Sequence, residues 1–351
     1  MSRCPRVVTF LALMSGAILL AGIGGCSRSP ELIEIAGDTM GTTYSVKVAA
    51  APTKVDAAVL RTAIDDVLDR IDRSMSGYRD DSEISRFNAS ASTDWFAVSA
   101  DLARVVLTAG EVSEQSGGAF DVTVAPLVRA WGFGPAGEPS ALPDESQLAT
   151  LRASVGYRSL HARIAPPALR KDTAALTVDL NGIAPGYAVD LIAQRFEALH
   201  VANYMIDIGG EVRARGRNAQ GQAWRIAVER PVDAEPVPYA ILRLEDRAVT
   251  TSGEYRHSYI RDGRRYSHTI DPRTGRPIQH ELAAVVVMAP TSMETDAWAT
   301  ALNVLGPQDG YALAAQRGLA AMFIVGRAAP WHARITPQFE SQIAWREEGG
   351  S

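Results

Sequence analysis

A carboxylate, a hydroxyl and an amide stand at Asp296, Thr300 and Asn303, in a run that Thr291 and Glu294 open with the spacing of a capping box. At i, i+4 and i+7 the three groups stack along one line of a helix, a set of hard oxygens suited to Mg2+. The same Asp296 in a first turn would also answer the helix dipole with no ion involved. Met293, Ala297, Ala301 and Leu305 repeat every fourth residue and mark the face of that helix that enters the core. The second chemical group is His268. Asp262-Gly263 between aromatic and β-branched runs predicts a hairpin with arms from Gly253 to Ile260 and from Arg264 to Ile270. The run Asp271-Pro272-Arg273-Thr274-Gly275 then predicts a tight reversal. His268 falls near the end of a stiff arm, where an imidazole of ordinary pKa, about 6.5, is a candidate general base. An exposed hairpin arm also collects Arg, Tyr and His without any catalytic role.

Other stretches have the make-up of a ligand cleft. Asn181-Gly182-Ile183-Ala184-Pro185-Gly186 leads from a predicted strand, Ala174 to Asp179, into a predicted helix, Gly186 to Leu199. Its glycines and proline keep the backbone irregular and free carbonyl and amide groups to face a ligand, although a plain strand-to-helix turn reads the same way. Met40 offers a polarisable side chain for packing on a flat ring, or for the core. Tyr78 follows a helix end and could stack or donate a hydrogen bond. Ala119-Phe120-Asp121 follows Gly117-Gly118 and would lay backbone amides and one carboxylate along a nucleotide. Neither G-x-G-x-x-G nor G-x-x-x-x-G-K-[ST] occurs, so Rossmann and P-loop binding are excluded.

Read together, TSGEYR and RYSHTIDPRTGRP resemble the signature of the ApbE family, the FAD:protein FMN transferases. Further blocks stand in the same order: Met40-Gly41-Thr42, Ser76-Gly77-Tyr78, Ala119 to Thr123, Asp179 to Ala184, Ile208 to Glu211 and Thr295 to Leu302. The resemblance covers residues 37 to 327 and implies a Mg2+ held by Asp296, Thr300 and the backbone carbonyl of Ala184. It also implies FAD as substrate, lined by Met40, Tyr78, Ala119, Phe120, Asp121, Asn181, Tyr187 and Ile270. A Tyr at position 78 resembles the transferases rather than the FAD hydrolases of the family. The reaction it implies passes FMN to a Thr hydroxyl of a membrane redox subunit with a flavinylation motif, releasing AMP. A FAD pyrophosphatase and a flavin-carrying lipoprotein without catalysis are the alternatives. Pro185 stands where the family commonly has Lys, so a charge near the pyrophosphate is missing.

The elements that must position these groups alternate along the chain. Paired strands are predicted from Leu32 to Ala49 with a break near Gly41. Helices are predicted from Lys54 to Ser74, Asp101 to Gln115, Ser292 to Leu305 and Gln308 to Arg317. Strands are predicted at Tyr204 to Ile208, Trp224 to Val228, Tyr239 to Thr250, Ala283 to Met288 and Ala320 to Val325. Because many strands follow one another as hairpins, the fold class predicted is α+β, with mainly antiparallel strands in a single compact unit. Gly134 to Ser140 and Arg230 to Pro238 read as surface loops.

Ahead of that unit, Arg3 and Arg6 precede an apolar run from Val7 to Leu20 that reads as a secretory signal. Ala21 to Gly25 before Cys26 resembles a lipobox, with Cys26 lipidated; a transmembrane helix is the competing reading. The division expected is a signal at 1–25, a tether at 26–36 and the catalytic domain at 37–345, anchored to the bacterial membrane and facing the periplasm. Cys4 and Cys26 are the two cysteines. A domain without either has no cysteine nucleophile, thiolate zinc site or disulfide. Without Arg3 and Arg6, 33 basic residues face 40 acidic ones, a net charge of −7, so nucleic acid is not an expected partner.

Overall fold

The structure, a computed structural model, describes residues 32–134, 137–232, 237–253 and 258–346. The predicted signal, Cys26, the inner part of both predicted loops and residues 254–257 of the first hairpin arm lie outside them. No helix among the described residues is long and apolar enough to cross a membrane.

Eight strands form one antiparallel sheet whose spatial order follows the chain: Leu32–Thr39, Thr42–Ala49, Tyr204–Ile208, Glu211–Arg215, Arg247–Gly253, Leu282–Ala289, Ala320–Val325 and His332–Ile335. The other described elements are excursions between neighbours of this meander, except Pro337–Glu340 and Ile343–Arg346, which follow its last strand. The period of two sorts side chains cleanly onto the two faces. Val285, Val287, Ala321 and Phe323 enter the core on one face, and Ala284, Val286, Met288, Met322 and Ile324 enter the core on the other. Both faces are therefore covered, which explains the nearly continuous apolar run of Leu282–Ala289 in an antiparallel sheet.

Helices Ala57–Met75, Ala100–Gln115, Ala184–Ala198 and Ser292–Arg317 cover the first face. Each has a local reason to start where it does. The Asp56 carboxylate accepts from the N–H groups of Ala58 and Val59, at 3.0 and 2.9 Å, and Leu60, Ile64, Val67, Leu68 and Ile71 bury the inner stripe. Ser99 caps the second helix in the same way. Pro185 sits in the first turn of the third, where a missing N–H is harmless, so the residue that departs from the family pattern suits a helix start. Thr291 Oγ1 accepts from Glu294 N and donates to the Glu294 carboxylate at 2.8 Å. The second face is covered by a three-stranded sheet, Ile343–Arg346, Pro238–Leu244 and Trp224–Glu229, with Phe339 fully buried beneath it.

The α+β, mainly antiparallel fold agrees with the sequence reading, and three local expectations are corrected. Residues 174–179 are not a strand; the segment is held by side chains, as described below. Tyr239 to Thr250 is two strands in two different sheets, separated at Asp246, whose φ of 52° turns the chain. The second hairpin arm stops at Ser267: Arg264–Ser267 pairs with Ser258–Arg261 around Asp262 (φ 51°) and Gly263 (φ 72°), and Ile270–Asp271 pairs separately with Arg276–Pro277. His268 lies between these two small ribbons. The long helix is bent at Gly306-Pro307, in keeping with two predicted helices.

Candidate functional site

The start of helix Ser292–Arg317 and the start of helix Ala184–Ala198 meet at Gly186. Its N–H donates to Asp296 Oδ2 at 3.0 Å. A Cβ built on Gly186 would lie 2.3 Å from the Ser292 carbonyl oxygen and 2.9 Å from Asp296 Cβ, so only glycine allows this approach. One turn along, a Cβ on Gly182 would lie 3.1 Å from Thr300 Oγ1 and 3.4 Å from Phe120 Cε2. Asp296, Thr300, Gly182, Phe120 and the Ala184 backbone are thus brought into one small region, with Asp296 and Ala184 both buried.

This region is rich in buried acid. Burial pushes the Asp296 carboxyl up to about 7; the Asp190 charge adds to the rise, and the Gly186 N–H opposes it. Glu211 is pushed well above the ordinary carboxylate range by burial, and next by the Asp296 charge. It faces the helices because it pairs with Thr250 in the sheet, and Thr250 Oγ1 lies 2.8 Å from Thr295 Oγ1. Asp190 is better provided for. It accepts from Ser292 N and Met293 N, both at 2.9 Å, and pairs with Arg213, so it caps the long helix as a carboxylate although burial pushes it upward. Asp296 and Glu211 have no cation of comparable closeness among the described residues. No group of three or more His, Cys, Asp or Glu side chains among those residues forms a metal-holding cluster. A Mg2+ site with one carboxylate, one hydroxyl and one carbonyl from the protein fits that composition, since this ion usually completes its shell with waters and substrate phosphates.

The remaining expected residues are distributed around this centre. Gly209 stands against Thr42 and Glu211 Oε2, which brings the Met40-Gly41 turn beside the acids; Met40 itself has φ 49° and packs partly buried on the helix-side core. Ala119 and Phe120 are buried. The Asp121 carboxylate accepts from Thr123 N, Thr123 Oγ1 and Tyr157 N at 2.6–2.9 Å, so its oxygens hold two loops together. Tyr187 is buried and its hydroxyl donates to Asp101 at 2.8 Å, which ties two helices. Asn181 is exposed beside this centre, and Tyr78 is exposed on a loop that Ser82 Oγ closes onto the Ser76 carbonyl at 2.7 Å.

His268 and Ile270 belong to an aromatic ladder. Trp131 stacks on Tyr266, Tyr266 on Tyr259, and Phe133 touches both Tyr259 and the edge of half-buried His268. Trp131 Nε1 donates to the Gly275 carbonyl at 2.7 Å, which fixes the reversal after the hairpin. Ile270 is buried in this satellite core with Leu127 and Leu148. The ladder is joined to the acid region through Thr269, whose Oγ1 accepts from Asn303 Nδ2 at 3.3 Å. Asn303 leaves the oxygen line expected of it: Nδ2 also donates to Ser252 Oγ, and Oδ1 is buried without a partner among the described residues.

Glu211, Asp190 and Arg213 are no part of the site expected from the sequence. The signal was present in Glu211–Arg215, where polar residues alternate with buried Val212 and Ala214 in a strand covered on both faces. The polar set had to face something polar.

The ApbE family pattern matches residues 40–323. An FAD:protein FMN transferase from Vibrio cholerae serotype O1 is 41% identical over 316 residues, covering 90% of this chain and 93% of that protein. The solved flavin transferase ApbE from Vibrio cholerae superposes with a TM-score of 0.82 at 39% identity, covering 89% of this chain and 99% of its own. The apo flavinyl transferase ApbE from Pseudomonas stutzeri does so with a TM-score of 0.82 at 38% identity, over 90% of this chain and 98% of its own. With a match that spans most of its length and the same fold throughout, this chain belongs to the ApbE family.

Proposed function

We propose that this transferase moves FMN from FAD to a Thr hydroxyl of a target redox protein and releases AMP. The acceptor oxygen attacks the FMN-side phosphorus, the phosphorus–oxygen bond to AMP breaks, and AMP leaves with the electron pair. The acceptor proton passes to an imidazole nitrogen of His268. Asp296, Thr300 and the Ala184 carbonyl would hold Mg2+, which supplies charge neutralisation on the pyrophosphate oxygens. The observation that carries this reading is Asp296: a buried carboxyl with one N–H donor, raised to about 7, beside the start of helix Ala184–Ala198 and one turn from the Thr300 hydroxyl. Such a group is under-supplied with positive charge.

The chain is also proposed to be exported and held at the membrane by lipid on Cys26, with a periplasmic membrane redox subunit as acceptor. Cys26→Ser is expected to leave transfer intact and to release the enzyme from the membrane fraction. Salt-resistant membrane association of that variant would rule the anchor out.

The deciding experiment incubates the enzyme with FAD, Mg2+ and an acceptor carrying an exposed Thr motif, and measures AMP together with the acceptor mass. Acceptor-dependent AMP and flavin on the acceptor Thr are expected. AMP without acceptor modification would mean a pyrophosphatase, and no AMP would mean a flavin carrier. His268→Ala is expected to lower transfer by about 10²- to 10⁴-fold with FAD affinity kept.

A further inference from the structure

Lys171 is fully buried, yet it has no carboxylate partner among the described residues. Its Nζ donates into four backbone carbonyls: Phe87 at 3.2 Å, Asn88 at 3.3 Å, Ala174 at 3.2 Å and Leu176 at 3.1 Å. An ammonium has three N–H bonds here and four oxygens around it, and it also lies 5.2 Å from the centroid of the Phe87 ring. A ring of carbonyl oxygens is the environment that replaces the water shell of a monovalent cation. Taking a lysine out of water is costly, and four neutral dipoles offset that less completely than one carboxylate would. A residue of this kind in the core calls for a reason.

The reason lies in what the four carbonyls belong to. Phe87 and Asn88 are in the last turn of helix Glu83–Ala89, the end that favours a cation; the Phe87 carbonyl also accepts from Ser90 N at 3.2 Å. Ala174 and Leu176 belong to the segment where a strand had been predicted. The same helix end grips that segment a second time: Asn88 Nδ2 donates to the Val178 carbonyl at 2.9 Å, and Asn88 Oδ1 accepts from Val178 N at 2.8 Å. Asp179 N then donates to the Val122 carbonyl at 2.7 Å, and the chain enters Asn181, Gly182 and Ala184. At its other end the helix begins at Ser82, which closes the loop carrying Tyr78. One buried ammonium therefore ties the far end of the helix that starts at the Tyr78 loop to the segment that leads into residues 179–184.

We propose that Lys171 is a built-in monovalent cation: its ammonium fills a four-carbonyl cradle and, as a positioning residue, sets the 179–184 loop against the Tyr78 loop so that FAD finds both in place. The link to FAD rests on the flavin-transfer reading; the cradle does not. Lys171→Ala empties the cradle, and ammonium or ethylammonium chloride is the probe, with sodium and tetramethylammonium chloride as controls for ionic strength. The thermal midpoint of Lys171→Ala is expected to rise with ammonium or ethylammonium and not with the controls, while the wild type responds to none. Affinity for FAD, read from flavin fluorescence, is expected to fall about tenfold or more, the size of one or two lost hydrogen bonds to a charged group, and to recover with the same cations. Lys171→Met restores apolar contact without charge and is expected to stay weak whatever salt is added.

A midpoint that ignores ammonium and ethylammonium would overturn the cradle. Wild-type FAD affinity in Lys171→Ala or Lys171→Met, with only the midpoint lowered, would overturn the positioning role. If Lys171→Ala does not fold, refolding with and without ethylammonium decides, because a native transition is expected only with the cation. Failure of the flavin-transfer reading would show as a wild type that binds no FAD, and it would leave the midpoint result standing.

Discussion

The two faces of the eight-stranded sheet are built from the same strands by the same alternation, yet their chemistry differs sharply. Toward the three-stranded sheet the side chains are Val212, Ala214, Val249, Val286, Met288, Met322 and Ile324, closed by Phe339. Toward the helices the strands Glu211–Arg215 and Arg247–Gly253 present Glu211, Arg213, Thr250 and Ser252, and the helix above brings Asp296, Thr300 and Asn303. The first face removes apolar surface from water and asks little else. The second buries acids that burial itself opposes. A molecule can carry that cost on one face because the other face supplies mainly apolar packing, its buried polar groups being few, such as the indole N–H groups of Trp224 and Trp331. Stability and chemistry should therefore separate when single residues are removed from each side.

The largest effect is expected from the helix side. Asp296→Ala should lower Mg2+-dependent transfer by about 10⁴-fold or more, since the change removes the anionic ligand of an ion whose charge stabilisation amounts to several kcal/mol. Its unfolding free energy should stay within about 1–2 kcal/mol of wild type, because the Gly186 N–H loses an acceptor but an unfavourably buried carboxyl goes with it. Near-normal turnover with Mg2+ would remove Asp296 from the site. Phe339→Ala should do the reverse: about 3–5 kcal/mol lost in denaturant unfolding, with FAD affinity per folded molecule unchanged. If FAD affinity falls in parallel with stability, the two faces are coupled and the comparison fails.

How far the sequence disclosed this division depends on the kind of signal. Helix-side periodicity was legible: Ile64, Val67, Leu68 and Ile71 gave Ala57–Met75 within a few residues, although Val59, read with them, is exposed and Leu60 is buried in its stead, and the turn chemistry of Asp262-Gly263 gave the hairpin. The line through Asp296 and Thr300 was legible because helical geometry alone places the two together. What failed depended on contacts distant in sequence. Residues 174–179 carry Leu176 and Val178, which read as a strand, but Lys171 and Asn88 occupy the backbone groups that a ladder would have used. Glu211, on a strand, and Asp190, on helix Ala184–Ala198, become site residues only when both are brought beneath the start of helix Ser292–Arg317. Asn303 was misplaced for the same reason, since Ser252 and Thr269 draw its amide toward the hairpin side.

A smaller effect is expected from pH. The folded-state pKa of Asp296 is raised from 3.8 to about 7, so between those values the folded protein holds a proton that the unfolded chain has lost. Stability of the metal-free protein then falls as pH rises through that window and levels off above it. Glu211, raised for the same reason, adds to the slope in the same direction. Chelator-treated enzyme should therefore show a thermal midpoint that drops between about pH 4 and pH 7, Asp296→Asn should flatten part of the drop, and added Mg2+ should stabilise more at pH 8 than at pH 5. A midpoint that rises across this window in the metal-free enzyme would mean that the buried acids are already paired.

The smallest and sharpest test is Thr300→Val, which keeps volume and shape but deletes the hydroxyl. Thr300 Oγ1 faces Gly182 so closely that a methyl group there would lie at 3.1 Å, and Asp296 stands one turn before it on the same helix. If the hydroxyl is an ion ligand, its loss should raise the Mg2+ concentration needed for half-maximal transfer about tenfold, or about 1.4 kcal/mol, with the rate at saturating Mg2+ much less affected. FAD affinity measured at saturating Mg2+ should stay close to wild type, because the valine keeps the side-chain volume that stands against Gly182. The thermal midpoint of the metal-free protein should stay put as well, since Thr300 is only partly buried and valine adds no volume. An unchanged Mg2+ midpoint would make Thr300 a packing residue of the helix. A loss of FAD affinity with the Mg2+ midpoint unchanged would place the hydroxyl on the nucleotide, and the ion would then rest on Asp296 and backbone carbonyls alone.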